Sequence, residues 1–246
     1  MIIELFGPPA VGKTTFADAM RNRLQKSGRD AELVLSYRPA EPASFASHAG
    51  KWAIGRRAAV LRRLLRPMVE FGAMAGHPVA FFKDVRFAWK LVGILPPRSP
   101  MYFLRYIQYL SRMSHYWRRA VSGRNIVLFD QAFVQAVCSL ILLSQKHDQG
   151  RIERALELIP TPDLLIRLDA PRNVLEARLG DREHGQSGAE RLFELDLGRN
   201  LETAEIIHRV DELLRTRGRA VALFSSVDRD ALDEAVELTA AKFEPL

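Results

Sequence analysis

Ile2-Ile3-Glu4-Leu5-Phe6-Gly7-Pro8-Pro9-Ala10-Val11-Gly12-Lys13-Thr14-Thr15 stands at the start of the 246-residue chain and decides how the rest is read. Ile2 to Phe6 is a short apolar run that ends on a glycine turn. From Lys13 to Gln25 the apolar residues Phe16, Met20 and Leu24 recur at helical spacing, and Gly28 supplies a stop. The order is strand, glycine-rich loop, helix. Such a loop converges backbone N–H groups and a helix N-terminus on one point, which suits several closely spaced negative charges.

Gly7 followed by four residues and then Gly12-Lys13-Thr14 has the spacing of a P-loop, and it predicts binding of the triphosphate of ATP or GTP with magnesium. Gly7, Pro8, Pro9, Ala10, Val11, Gly12, Lys13, Thr14 and Thr15 are the expected nucleotide-binding residues. Lys13 would reach the β and γ phosphates, and Thr14 would place its hydroxyl on the metal. An accidental glycine-rich turn would need neither the strand before it nor the helix after it.

Working outward, Ala31 to Leu35 reads as a second strand and leads into the proline-marked loop Arg38-Pro39-Ala40-Glu41-Pro42. Strand and helix alternate again from Ile126 to Phe129, with an apolar helix over about 131–145. A strand at Leu164 to Leu168 and helices over about 172–180 and 190–215 follow. A last strand, Ala220 to Phe224, precedes a terminal helix over about 230–243. Five short apolar strands, most separated by helices, predict an α/β fold whose parallel sheet is covered on both faces. The expectation is one domain over 1–246: a three-layer P-loop fold with a five-stranded parallel sheet, a helical insertion at about 51–124 and a lid at about 178–190.

The formal charge of +7 is unevenly spread. Residues 51–124 hold 15 Lys/Arg against only Glu70 and Asp84, a net of +13, which leaves −6 for the remainder. Twelve of the 21 aromatic residues also fall there, among them Trp52, Phe81, Phe82, Trp89, Tyr102, Tyr106, Tyr109 and Trp117. Tyr102, Tyr106 and Tyr109 recur at helical spacing, a pattern of core more than of a binding platform. No run of about 18 uncharged apolar residues occurs and no basic leader precedes the nucleotide motif, so a cytoplasmic protein, peripheral to a membrane at most, is expected. Cys138 is the single cysteine; it sits in an apolar run and reads as core.

Asn125-Ile126-Val127-Leu128-Phe129-Asp130 is an apolar strand closing on an acid, the position at which a P-loop protein holds magnesium. The alternative is that Asp130 merely caps the helix that starts at Gln131, and the two roles can coexist. Gln131 stands where a P-loop ATPase commonly carries a water-activating Glu, which weighs against a motor or a hydrolase.

The layout resembles the nucleoside and nucleotide kinases, in particular the thymidylate kinase and deoxynucleoside kinase group. Four places carry the resemblance in order: the P-loop, the Glu41-Pro42 pair after the second strand, the strand end Phe129-Asp130, and Pro162 to Pro171 leading to Arg178 and Arg182. The resemblance implies that Glu41 approaches the phosphate acceptor as general base, which is sound chemistry within hydrogen-bond reach; a solvated loop glutamate is the alternative. It also implies that Arg178 and Arg182 belong to a lid over the transferring phosphate. Four apart, they share one helical face, and guanidinium groups fork onto phosphate oxygens. Glu176, Asp181 and Glu183 could instead pair with them on an ordinary solvated face. Two departures concern the acceptor: those kinases place an Arg after the strand-three acid where this chain has Gln131, and they lack the basic aromatic insertion.

The expected activity is therefore transfer of the γ-phosphate of ATP, with magnesium, to a small-molecule acceptor, most like a nucleoside or nucleotide. Lys13, Glu41, Asp130, Arg178 and Arg182 are the candidate catalytic residues, with Thr14 and Asp130 on the metal. A kinase for a sugar or an antibiotic uses the same scaffold. The basic insertion keeps two further classes open: a nucleic-acid-dependent NTPase or polynucleotide kinase, and a nucleotide-binding protein at a membrane surface.

Overall fold

Alternation along each strand sends apolar side chains to both faces of the sheet, and both faces are covered. The computed structural model describes residues 1–35, 78–144, 147–185 and 197–243. In chain order these form β1 (Ile2–Phe6), α1 (Lys13–Lys26), β2 (Ala31–Val34), α2 (Pro78–Ile94), α3 (Pro100–Ser122), β3 (Ile126–Phe129) and α4 (Phe133–Leu143). Then follow α5 (Gln149–Leu158), β4 (Leu164–Asp169), α6 (Arg172–Gly185), α7 (Leu197–Thr216), β5 (Val221–Ser225) and α8 (Arg229–Ala240). The five strands pair in parallel in the order β2-β3-β1-β4-β5. This is the three-layer P-loop fold, with the α2–α3 hairpin inserted between β2 and β3.

The strand order decides where a ligand can sit. The chain leaves β1 toward β2 and leaves β3 in the opposite direction toward β4, so the C-terminal ends of β1 and β3 flank a switch point. One face of the sheet buries Ile2, Phe6, Val127, Phe129, Leu165 and Val221 against α2, α3, α4, α5 and α7. The other buries Ile3, Leu5, Leu128, Ile166 and Leu168 against α1, α6 and α8.

The described part of the insertion is a helical hairpin tied down at several points. Asp84 on α2 is buried and accepts hydrogen bonds from Ser114 Oγ at 2.7 Å and Arg118 Nε at 2.9 Å on α3. Trp117 lies 5.3 Å from the Phe129 ring and 5.2 Å from Phe133, which seats α3 on the end of β3. At the hairpin turn, Arg98 N–H donates to the Leu143 carbonyl at 2.9 Å and Arg151 Nη1 donates to the Ile94 carbonyl at 3.1 Å. Tyr106 and Tyr109 pack against the core, in keeping with their helical spacing.

Two local features depart from the sequence expectations. Helix α5 is absent from the sequence expectations, although Ile152, Ala155, Leu156 and Ile159 form a buried stripe and Asp148 caps its first turn through the Arg151 N–H at 3.0 Å. Gly150 in that first turn hides the pattern. Helix α4 starts at Phe133 with Ala132 as its N-cap, two residues later than the apolar run suggests, and Ala132 has no side-chain acceptor.

The acceptor comes from far away in sequence. Glu4, fully buried on β1, takes the Val134 N–H on its Oε1 at 2.6 Å, while its Oε2 is buried without a hydrogen-bond partner. Burial pushes its carboxyl up to about 8, against the opposing pull of the α4 amides and Arg219. The folded state therefore holds a proton on Glu4 that the unfolded chain releases above its ordinary value of 4.5. Stability contributed by this group is full below that value and is lost as pH rises toward about 8. Glu4→Gln keeps an acceptor for Val134 and cannot ionise. Urea unfolding of wild type from pH 5 to pH 8 is expected to show a slope approaching about 1.4 kcal/mol per pH unit that this variant lacks; parallel profiles would mean that Glu4 ionises freely in the folded state.

Candidate functional site

The loop between β1 and α1 is shaped by close approach. An added Cβ at Gly7 would sit 2.3 Å from the Leu168 carbonyl oxygen of β4, so only glycine allows the loop to cross that strand end. Gly12, at φ 94°, and Ala10, at φ 61°, hold left-handed conformations that turn successive peptide units inward. Helix α1 starts at once after Gly12 with no side-chain cap and no acid in its first turn, which leaves its N-terminal dipole facing the loop.

Neighbouring elements brace this loop. Gly7 N–H donates to Gln135 Oε1 of α4 at 3.1 Å, and Ser226 Oγ, after β5, donates to the Val11 carbonyl at 2.5 Å. Leu232 of α8 lies 3.3 Å from where a Gly12 Cβ would be. The chain of contacts from Glu4 through the first turn of α4 to Gln135 and Gly7 thus links a buried acid to the loop. Sequence reasoning assigned no role to Glu4, Gln135 or Ser226. A charged residue inside the apolar run Ile2 to Phe6 was the visible signal for Glu4; nothing local marks the other two.

Lys13 is buried and its ammonium donates to the Gly7 and Pro8 carbonyls, each at 2.7 Å. Its charge lies within the curl of the loop. Thr14 Oγ1 donates to Asp130 Oδ2 at 3.1 Å, so the first turn of α1 meets the end of β3. Asp130 itself is 3% exposed. It is not the N-cap of α4, which is Ala132, and the carboxyl on the α4 amides belongs to Glu4.

These residues fit the groups expected of them. A hydroxyl and a carboxylate side by side are hard oxygen donors, and magnesium usually takes one or two protein oxygens and completes its shell from phosphates and water. Among the described residues, no cluster of three or more His, Cys, Asp or Glu side chains forms a self-sufficient metal site. The triphosphate would face the left-handed turns, the α1 N-terminus and Lys13.

Arg178, on α6, reaches across to the β5–α8 loop, where Nη2 donates to the Val227 carbonyl at 3.0 Å. That loop also carries Ser226, so Arg178 is joined to the wall of the P-loop. Arg182 lies one turn further along α6, but its side chain falls outside the described residues, as do Glu41 and positions 186–190 of the expected lid. Of the candidate residues, Lys13, Thr14 and Asp130 come together, and Arg178 stands beside the loop that braces them.

The insertion contributes to the same neighbourhood. Tyr109 on α3 has its phenol held well above the usual range by burial and then by the negative charge of Asp130, with Tyr106 and Glu4 adding to the effect and Arg112 opposing it. Cys138, on α4, is buried, and its thiol is pushed up to about 12 by that burial, so it stays a protonated core residue.

Behind β4 lies a second buried polar group. Arg167 bridges Asp211 of α7 at 2.8 Å and Asp169 at 2.5 Å, with Asp211 also held by Arg215 at 3.0 Å. It fastens α7 to the strand whose Leu168 carbonyl abuts Gly7.

No protein-family model matches this chain, and no curated protein matches it. Among solved structures, the chain is similar to a deoxyadenosine kinase from M. mycoides with the products dCMP and a flexible dCDP bound. The similarity spans 99% of this chain and 98% of that one, at 16% identity and a TM-score of 0.48.

Proposed function

We propose that this chain is an ATP-dependent phosphotransferase that moves the γ-phosphate to a small-molecule acceptor, most like a nucleoside or nucleotide. The observation that carries the reading is the 3.1 Å approach of Thr14 Oγ1 to Asp130 Oδ2 directly beside the buried Lys13. A strand-end carboxylate and a P-loop hydroxyl that meet in this way supply the oxygen pair that a nucleotide-bound magnesium needs.

In the proposed reaction an acceptor oxygen attacks the γ-phosphorus while the bond to the β,γ-bridging oxygen breaks and ADP departs. Catalysis is mainly positioning and charge stabilisation. Magnesium, when bound, neutralises charge on the β and γ oxygens. Lys13 exchanges its two carbonyl partners for phosphate oxygens, and the left-handed turns of the loop orient the triphosphate. Arg178 would leave the Val227 carbonyl and, with Arg182, meet the charge that shifts onto the transferring group. Glu41 would accept the acceptor's proton. Gln131 beside Asp130 places no carboxylate there to activate water, which favours transfer over hydrolysis.

Incubation of the purified protein with γ-labelled ATP and pooled nucleosides, nucleotides and sugars tests the reading; hydrolysis without transfer to any acceptor would sink it. Lys13→Ala is expected to lower turnover by about 10²- to 10³-fold, the scale of removing one donor from a developing oxyanion. The same change frees two loop carbonyls and should cost stability of only about 1 kcal/mol. Asp130→Asn should raise the magnesium concentration needed for half-maximal rate, and an unchanged magnesium titration removes Asp130 from the metal. Arg178→Ala should slow single-turnover transfer by about 10²-fold with ATP affinity nearly kept. Equal losses in rate and affinity would instead make Arg178 a brace for the Val227 loop.

A further inference from the structure

We infer that the α2–α3 hairpin is a docking surface for an anionic phospholipid bilayer, separate from the nucleotide site. Among the described residues, ten large apolar side chains are exposed, and six of them, Phe82, Trp89, Met101, Leu104, Tyr116 and Val121, belong to this one hairpin. Scattered singly, such residues would need no account; gathered on one substructure they mark an interaction site.

Their arrangement is directional. Phe82, Arg86 and Trp89 stand at i, i+4 and i+7 on α2, hence on one face, and all three are exposed. Trp89 is 59% exposed and meets the edge of Phe103 at 5.2 Å. That contact lays the indole against the first turns of α3, where Met101 and Leu104 are 67% and 68% exposed. The opposite side of α2, with Asp84, Ala88, Leu91 and Leu95, is buried in the protein. The hairpin presents this face rigidly, because its turn is fastened to α4 and α5 by the Arg98 and Arg151 hydrogen bonds.

The charge around the apolar face has one sign. Residues 78–124 hold nine Lys/Arg and a single acid, Asp84. Asp84 is 1% exposed and spent internally on Arg118 and Ser114. Lys83, Arg86, Lys90 and Arg119 are exposed, so every exposed charged side chain on the hairpin is positive. Basic side chains flanking Trp, Phe and Leu make the composition of a surface that lies in the headgroup region of an anionic leaflet. The aliphatic share, Met101 and Leu104, favours acyl chains over bases. A strand-binding platform would offer several flat rings for stacking, whereas half of this face's apolar residues, Met101 and Leu104 beside Phe82 and Trp89, are aliphatic.

The test is sedimentation of the full chain with vesicles of phosphatidylcholine alone or containing one third phosphatidylserine, at low and physiological salt. Wild type is expected on the anionic vesicles, more weakly as salt rises, and not on the neutral ones. Replacing Lys83, Arg86 and Lys90 together by Glu should lower affinity by at least about 10²-fold, since each surface cation near an anionic leaflet is worth about five-fold. Trp89→Ser with Leu104→Ser should lower it by about ten-fold or more, the scale of one large apolar side chain withdrawn from burial. These side chains are exposed, so thermal unfolding should be unchanged; the triple Gln variant replaces the Glu variant should the latter fail to fold. Equal retention on both vesicle types, or wild-type retention by either variant, overturns the inference. So does tighter binding to a single-stranded oligonucleotide through the same residues, which would make the face a nucleic-acid platform. Self-association abolished by the Ser variant with vesicle retention intact would assign the face to a second copy and likewise overturn it.

Discussion

Everything at the site rests on the absence of a side chain at Gly7. The Leu168 carbonyl occupies the space where a Cβ would project, 2.3 Å away. Because β1 and β4 are hydrogen-bonded neighbours in fixed register, with Phe6 opposite Arg167, the loop has nowhere else to leave the sheet. The tight exit lets the chain curl through Ala10 and Gly12 and enter α1 at Lys13 without an intervening cap. A larger residue would lift the loop off β4 and with it the ammonium, the helix terminus and the Thr14 hydroxyl. One steric constraint therefore sets the geometry of a whole electrostatic site.

The elements around the loop hold it from three sides by different means. Gln135 fixes the Gly7 amide, Ser226 fixes the Val11 carbonyl, and Lys13 ties the Gly7 and Pro8 carbonyls from inside. α4, the β5–α8 loop and α1 are thus joined through a few peptide units. A displacement of α6 that broke the Arg178–Val227 contact would be felt at Ser226, one residue away. Helix α6 is thereby tied, through Val227 and Ser226, to the loop after β1.

What was legible in the sequence was whatever is local. The strand–loop–helix order, the P-loop spacing and the acid closing β3 are short-range patterns, and the five apolar runs are strands because a parallel sheet buried on both faces tolerates little else. The helical character expected of the insertion is seen in its described part, Pro78–Ile94 and Pro100–Ser122, while 51–77 lies outside the described residues. What escaped was set by partners distant in the chain. The start of α4 depends on Glu4, which lies 130 positions away, and no cap is written beside Ala132. Asp130, one residue before a helix in the sequence reading, looked able to cap it; the fold turns it to Thr14 on α1 instead. Helix α5 was hidden because Gly150 weakens its propensity and the stripe from Ile152 to Ile159 draws its worth from packing.

Charge management connects these features. For the proposed polyanion site the placing of negative groups matters, and the acids in and beside this core are held in different ways. Glu4 is kept protonated by burial, with its carboxyl pushed up to about 8. Asp211 is shared between Arg167 and Arg215, and Asp84 is bound by Arg118. Asp130, at 3% exposure, accepts a hydrogen bond from the Thr14 hydroxyl at 3.1 Å. In the proposed function, a triphosphate arriving beside Asp130 would meet a buried acid in a region of weak screening. A divalent cation between the two would attract both, and Thr14 and Asp130 together offer the oxygens to hold it. On this reading the two carboxyls do different work: Glu4 holds the α4 amides as a neutral acid, and Asp130 would serve as an oxygen donor to the metal. The fold buries both, Glu4 in the middle of β1 and Asp130 just past the end of β3, where the proposed function puts the nucleotide.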